Sequence, residues 1–275
     1  MGPSSPNMML RESSSRGWAD HDWLRSFHTF SFASYFSPEP HHNSYGALRV
    51  INEDRVAPST GFPPHSHSEF EIFSYVINGT IAHRDSMGNL EQLGRGSLQM
   101  TSAGTGIKHA EYNGSDKEEE LHFLQIWAKP HTRGLKPKYF TRHFSDEDKK
   151  DKLVKVVAPA DSEGVSMTDK GVSGPAPVHA DLSMYASVLS ERGKSVSHTF
   201  SSSASKGYLH LIMTGGYRRP AQPASVDGAS VKVSFGAKSV IVREGDGLYL
   251  DNVAGQDITL ESDGPKPAEF VLFEL

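Results

Sequence analysis

Two short stretches hold the residues best able to do chemistry: Gly61-Phe-Pro-Pro-His65-Ser-His67-Ser-Glu69-Phe-Glu71 and Ala103-Gly-Thr-Gly-Ile-Lys-His109-Ala-Glu111. Side chains alternate faces along a β-strand, so His65 and His67 project from one face of the first stretch, and His109 and Glu111 from one face of the second. If the two strands oppose each other inside a small barrel, three imidazoles and a carboxylate converge. A metal with more than four coordination positions then keeps room for water or substrate. Nitrogen and oxygen ligands suit iron(II), manganese, nickel or copper(II) and also accept zinc, so residue type does not choose the metal.

A His-x-His pair alone is weak evidence in a chain with 14 histidines. Four features together raise its specificity: the strand context, the turn made by Gly61 and Pro63-Pro64, Glu71 counted four residues further on the same face, and a second pair of equal parity after Gly104-Thr-Gly106. The alternative is a hydrogen-bonded core pair of His109 and Glu111, which is costly inside a barrel without further partners.

The elements that must hold these residues read as short strands and turns. Leu48-Arg-Val-Ile51 is a strand, and Ile72-Phe-Ser-Tyr-Val-Ile77 another, ended by the hairpin signal Asn78-Gly79. Ile81-Ala-His83-Arg-Asp85 leads to a turn at Met87-Gly88-Asn89, and Gly94-Arg-Gly96 precedes Ser97-Leu-Gln-Met100. Leu121-His-Phe-Leu-Gln-Ile-Trp127 closes the unit. No long helical period intervenes, so the expectation is an antiparallel sandwich or barrel. Upstream, residues 16–36 are dense in aromatics, with His28, Phe30 and Phe32 sharing a parity; they read as core packing, or with His28 as a wall of the pocket. Pro38, Pro40 and His41-His42-Asn43 mark a loop. The run Asp146-Glu-Asp-Lys-Lys-Asp-Lys152 mixes both signs and reads as a solvated linker or short exposed helix.

The second half repeats the pattern without its chemistry. Leu209-His-Leu-Ile-Met213 before Gly215-Gly216 resembles the strand ending at Asn78-Gly79, and Arg243-Glu-Gly245-Asp-Gly247 resembles the Gly94-Arg-Gly96 turn. The positions matching His65 and His67 fall on Ser201 and Ser203, and Ile258-Thr-Leu260 stands where a second ligand pair would be. The expected organisation is an N-terminal arm over residues 1–15, disordered; a metal-binding barrel over 16–145; and a barrel without ligands over 146–275.

Composition sets bounds. The 275 residues are 36% hydrophobic and 22% charged, as in globular proteins, and no apolar run approaches a membrane span. A formal charge of −5 argues against direct binding of nucleic acid. The absence of cysteine removes disulfides, thiolate ligands and a thiol nucleophile. The first ten residues lack the basic start and continuous apolar core of a secretory signal, so an intracellular protein is expected.

The stretches from Gly61 to Gly79 and from Gly96 to Glu111 resemble the two motifs of the cupin superfamily. Their particular forms, His65-Ser-His67 and Thr101-Ser-Ala-Gly-Thr-Gly-Ile-Lys-His109-Ala-Glu111, resemble the pirin family. The resemblance continues through Trp23-Leu-Arg-Ser-Phe-His28-Thr-Phe-Ser-Phe32, Ala47-Leu-Arg-Val-Ile-Asn52, Asp85-Ser-Met-Gly-Asn89 and Gln125-Ile-Trp127. It covers nearly all of residues 16–160 and, more loosely, the rest, and within the family it looks like the bacterial pirin-like quercetinases.

The resemblance implies an all-β bicupin: two antiparallel, jelly-roll-type β-barrels facing each other, the first binding one divalent metal and the second empty. The ligands would be His65, His67, His109 and Glu111, and the metal iron(II) first, with Mn, Ni, Cu or Zn as alternatives. A general cupin takes its carboxylate from the position of Glu71, whereas the His-Ala-Glu form points to Glu111. Glu71 is then a pocket group, and Glu71 or Glu111 the candidate base for a substrate hydroxyl. Glu69 shares their parity. The implied activity is that of a quercetin 2,3-dioxygenase, opening a flavonol or similar enol with dioxygen, and no other cofactor is expected. The alternative is a non-enzymatic, iron-binding nuclear co-regulator with a protein partner, where acidic charge suits a basic regulator better than DNA. The expected location is the cytoplasm, or the nucleus on the second reading.

Overall fold

The computed structural model describes residues 6–30, 42–115, 118–217 and 224–275. The chain divides into two compact units. One comprises Gly17–Ser145 with Val156–Asp181; the other comprises the residues up to Arg16, Asp146–Lys155 and Leu182–Leu275. Both are built of strands, as the short apolar runs and close turns dictate.

The first unit has a broad sheet and a narrow one. Its strands are β2 (Gly17–Asp20), β3 (Leu24–His28), β4 (Leu48–Val56), β5 (Gly61–His67), β6 (Glu71–Asn78), β7 (Ile81–Asp85), β8 (Leu90–Leu93), β9 (Ser97–Ser102), β10 (Ile107–Asn113), β11 (Leu121–Ala128) and β12 (Lys138–His143), following β1 (Asn7–Arg11) in the chain. The seven-stranded sheet runs β12-β9-β6-β11-β4-β3-β2, and the four-stranded sheet β5-β10-β7-β8. The central strands β6 and β11 are almost wholly buried, Phe73, Tyr75, Val76, Phe123, Leu124 and Ile126 all at 0% exposure, which is why they read as apolar runs. Later in the chain, the end of β13 (Val154–Pro159) pairs in parallel with β14 (Ala176–Val178) through Val157↔Ala176.

Two expectations change here. The sheets are open: among the described residues neither closes into a barrel. The edges show why. β5 carries Pro63 and Pro64, which have no N–H to continue a ladder, and β8 has only four residues. In addition, the pairing of β13 with β14 departs from a purely antiparallel plan.

The second unit contains α1 (Asp146–Lys149), β15 (Ser183–Leu189), β16 (Ser195–Thr199), β17 (Lys206–Leu211), β18 (Ser230–Phe235), β19 (Lys238–Arg243), β20 (Gly247–Asp251), β21 (Asp257–Ser262) and β22 (Ala268–Glu274). One sheet contains the run β1-β20-β17-β22-β15 and the other is β16-β21-β18-β19. Ile258 and Leu260, where a second ligand pair would sit, are fully buried with Val231, Val233 and Phe235 in an apolar core. Lys149 is not solvated as the charge run suggested. Its side chain is buried, with Nζ 3.5 Å from Asp146 and 3.6 Å from Glu269.

The arm expected to be disordered over residues 1–15 is ordered from Asn7. β1 pairs antiparallel with β20 from Asn7↔Asp251 to Arg11↔Gly247, and Ser13 N–H donates to Asp246 Oδ1 at 2.8 Å. Partners this distant in sequence leave no local signal. Residues 1–5 of the arm, and Phe32, Tyr35, Phe36, Pro38, Pro40 and His41 of the aromatic and loop segment, lie outside the described residues.

Candidate metal centre

The two motifs occupy adjacent strands of the narrow sheet. His109 on β10 pairs with His65 on β5, Ile107 with His67, and Glu111 with Phe62, so the register slips by one residue between His109 and Glu111. The slip coincides with Pro63-Pro64, and a bulge there re-aims the neighbouring side chains. Gly61 makes the close approach possible: a Cβ on it would lie 2.3 Å from the carbonyl oxygen of Glu111.

His65, His67 and His109 each present a ring nitrogen, and the three atoms lie within 4.8 Å of one another. The ring centroids are 4.7 Å apart for His65–His67, 4.5 Å for His65–His109 and 4.9 Å for His67–His109. His65 Nδ1 lies 2.8 Å from the Pro63 carbonyl and must donate to it, which leaves Nε2 as a lone pair. That lone pair lies 3.0 Å from His109 Nε2. Burial, followed by the positive charges of His109 and His65, pushes His67 down to about 4. Burial also lowers His109, against the opposing charge of Glu111. Imidazoles whose burial disfavours the charged form, as at His67 and His109, leave nitrogen lone pairs for a cation. His109 Nε2–H can donate to the His65 lone pair, a hydrogen bond that a divalent metal would replace, and three converging imidazole nitrogens are a donor set that fits such a group.

Glu111 lies next to this trio. Its carboxylate groups with His109 and His83, again within 4.8 Å, rather than with His65 and His67. Gln99 Nε2 donates to Oε1, and Gln125 Nε2 donates to Oε2 at 3.0 Å. Ser74 links the two glutamines, donating to Gln125 Oε1 at 3.1 Å and accepting from Gln99 Nε2 at 3.2 Å. These groups belong to one polar row across the broad sheet, in which His28, Asn52, Gln125, Ser74, Gln99 and Thr141 are successive cross-strand partners. His83 Nδ1 is 3.9 Å from Glu111 Oε1, an ion-pair distance too long for a hydrogen bond. Burial opposes ionisation of Glu111, but His83 first, then His109 and His65, hold it down to about 2.

The alternation expected for His65, His67, His109 and Glu111 therefore brings all four to one region. The same counting misplaces Glu71. Between β5 and β6 the chain turns, with Glu69 in the left-handed region at φ 60, and β6 belongs to the other sheet. Parity does not carry across such a turn. The Glu71 carboxylate is buried, accepts from Ser102 Oγ, and accepts from the backbone N–H of His179 at 3.2 Å. Burial raises its pKa against those hydrogen bonds. Glu69 accepts from Gly134 N–H at 3.2 and 3.3 Å. Neither carboxylate joins a potential ligand group among the described residues. His28 joins the polar row through Nδ1, 3.0 Å from Asn52 Oδ1.

Sequence reasoning did not single out His83, Gln99 or the contact between His67 and Trp127, whose rings are 4.9 Å apart. For His83 a signal existed. Ile81, His83 and Asp85 share a parity in β7 and are all buried, and His83 Nε2 lies 3.3 Å from Asp85 Oδ2 while the ring stacks on Tyr139 at 4.6 Å.

Comparison with known proteins places these observations. The family described as Pirin matches residues 9–128. A quercetin 2,3-dioxygenase of Escherichia coli K12 is 50% identical over 135 residues, covering 49% of this chain and 57% of that protein. A pirin-like protein of Caulobacter vibrioides is 46% identical over 138 residues, covering 50% of this chain and 58% of that protein. The chain thus spans little more than half the length of these curated relatives. Among solved structures, the bacterial pirin YhhW of Escherichia coli in complex with nickel(II) is 33% identical, with a TM-score of 0.76, covering 98% of this chain and 99% of that one. Over that full length the likeness is to an all-β bicupin.

Proposed function

Because this chain belongs to the pirin family, we propose that it is a metal-dependent dioxygenase acting on a quercetin-like flavonol or a similar enol. The observation that carries this reading is the convergence of three imidazole nitrogens within 4.8 Å beside a buried, ionised carboxylate. His65, His67, His109 and Glu111 would hold one divalent transition metal. The donor set admits iron(II), manganese, nickel, copper or zinc, and the nickel complex of a relative shows that a pirin accepts nickel(II). When bound, the metal supplies Lewis acidity toward the enol oxygen and a centre for dioxygen chemistry.

The protein's own groups have distinct tasks. The Pro63 carbonyl fixes the tautomer and ring orientation of His65, as ligating histidines require. Gln99 and Gln125 hold both oxygens of Glu111, which suits a fixed ligand and not a base that detaches to take a proton. Glu71 has a raised pKa, but Ser102 and His179 occupy its oxygens; we assign it to packing rather than to proton transfer. Phe70 and Trp127, with ring centroids 5.4 Å apart, line the side of His67 with apolar surface that excludes water.

The test is oxygen uptake by metal-loaded protein with quercetin, followed together with loss of flavonol absorbance. Uptake that disappears in His109→Ala supports the reading. Unchanged oxygen and absorbance across iron, manganese, nickel, copper and zinc would sink it.

A further inference from the structure

We propose that the cavity lined by Arg49, Glu69, Phe70, Lys129, Pro130 and Arg133 is a binding subsite for a planar aromatic ligand carrying an oxyanion. Resting on the reading above, that ligand is the substrate, held here through an ionised hydroxyl other than the enol oxygen that would face the metal. The cavity has a volume of about 260 Å³. Three of its six lining residues are cationic, in a chain whose formal net charge is −5. The site is therefore locally positive against the sign of the whole molecule, the arrangement that draws an anion to one place.

The cations are available. Among the described residues none of Arg49, Lys129 and Arg133 forms an ion pair. The one carboxylate at the cavity, Glu69, is turned to the backbone N–H of Gly134 at 3.2 and 3.3 Å. Arg49 is held in place by donating through Nη1 to the Asn43 carbonyl at 2.6 Å, while Lys129 and Arg133 are exposed. A guanidinium offers a planar fork of donors to an oxyanion and stacks on flat rings, whereas the lysine offers a point charge.

The apolar wall of the cavity packs, through one intervening ring, against a candidate metal ligand. The Phe70 ring packs on Trp127 at 5.4 Å, and Trp127 packs edge-on against His67 at 4.9 Å. The backbone fixes Phe70 from the preceding residue, since Glu69 sits at φ 60 with its N–H donating to the Gly104 carbonyl at 2.9 Å. Cations around an aromatic floor, two ring contacts from a candidate ligand, favour a flat anion over a neutral one.

Calorimetric titration of the full chain, stripped of metal with a chelator, tests the subsite apart from the metal. The probes are 2-naphthoate and its neutral isostere 2-naphthamide. Naphthoate is expected to bind about fivefold or more tightly than the amide, and to lose about tenfold in affinity in a Lys129→Glu/Arg133→Glu variant. Both positions are exposed, so thermal melting should be unchanged, confirming that the variant folds. Equal affinity for the two probes, or an unaffected variant, overturns the subsite. Oxygen uptake with quercetin separates the two ideas. Probe discrimination without uptake leaves the subsite and removes the dioxygenase reading. Uptake with no discrimination, and with KM unchanged in Lys129→Ala/Arg133→Ala, removes the subsite and leaves the dioxygenase.

Discussion

Gln125 on β11 of the broad sheet donates its side-chain N–H to Glu111 on β10 of the narrow sheet, at 3.0 Å. This bond and its counterpart from Gln99 tie a candidate metal ligand on one sheet to a row of polar side chains on the other. A buried carboxylate without such donors would cost several kcal/mol or take up a proton. The pair therefore holds both oxygens of Glu111 in place, beside the histidines that keep it ionised.

Removing that support should weaken metal binding without touching a ligand. Gln125→Leu is expected to lower metal affinity about 10–100-fold, the usual effect of losing a group that orients a ligand. It should also lower stability by about 1–3 kcal/mol through the unmet carboxylate oxygen. Competition against a chromophoric chelator reads the first quantity and urea unfolding the second. Gln125→Asn, which keeps the amide on a shorter arm, should fall between Leu and wild type.

Metal removal should lower stability by linkage. A metal at 100 times its dissociation constant stabilises the folded state by about 2.7 kcal/mol. Melting of the chelator-treated protein should therefore rise with added metal. In His65→Ala, His67→Ala or His109→Ala, the rise should disappear or need far more metal.

The pH dependence of the metal-free protein has two opposing parts. His67 is depressed to about 4, so between there and its ordinary value of 6.5 the unfolded chain binds the extra proton, and stability falls as pH falls through that window. Asp54 is pushed up to about 7, by burial first, against its hydrogen bond from Ser26. Between 3.8 and about 7 the folded state holds the extra proton, so this group's contribution weakens as pH rises. Urea unfolding from pH 4 to 8 should accordingly show a shallower loss toward acid in His67→Gln. In Asp54→Asn, relative stability against wild type should improve as pH rises toward 7.

Gly61→Ala tests the close approach of β5 to β10. The new Cβ would meet the Glu111 carbonyl at 2.3 Å and the Tyr112 Cα at 2.5 Å, both backbone atoms that cannot swing aside. A loss of about 1–3 kcal/mol is expected from the overpacking, together with weaker metal binding as His65 and His67 shift with their strand.

Much of the candidate centre could be read from the chain because its proposed ligands come in pairs within single strands. The alternation that places His65 with His67, and His109 with Glu111, is local, and so is the hairpin at Gly79, whose φ is 74. What could not be read depends on partners far apart in sequence. Glu71 was counted onto the ligand face across a turn that changes sheet. Gln99 and Gln125 become neighbours only because β6 lies between β9 and β11, so that Ser74 pairs with both. β1 reads as a loose arm until β20 supplies its ladder.

The most direct test of the proposed activity is the fate of isotopically labelled dioxygen. Quercetin turned over by the metal-loaded protein under ¹⁸O₂ should give a ring-opened product that contains both atoms of one oxygen molecule by mass spectrometry, and no such product in His109→Ala. Product carrying no ¹⁸O, or the same product from the variant, would contradict a dioxygenase built on this centre.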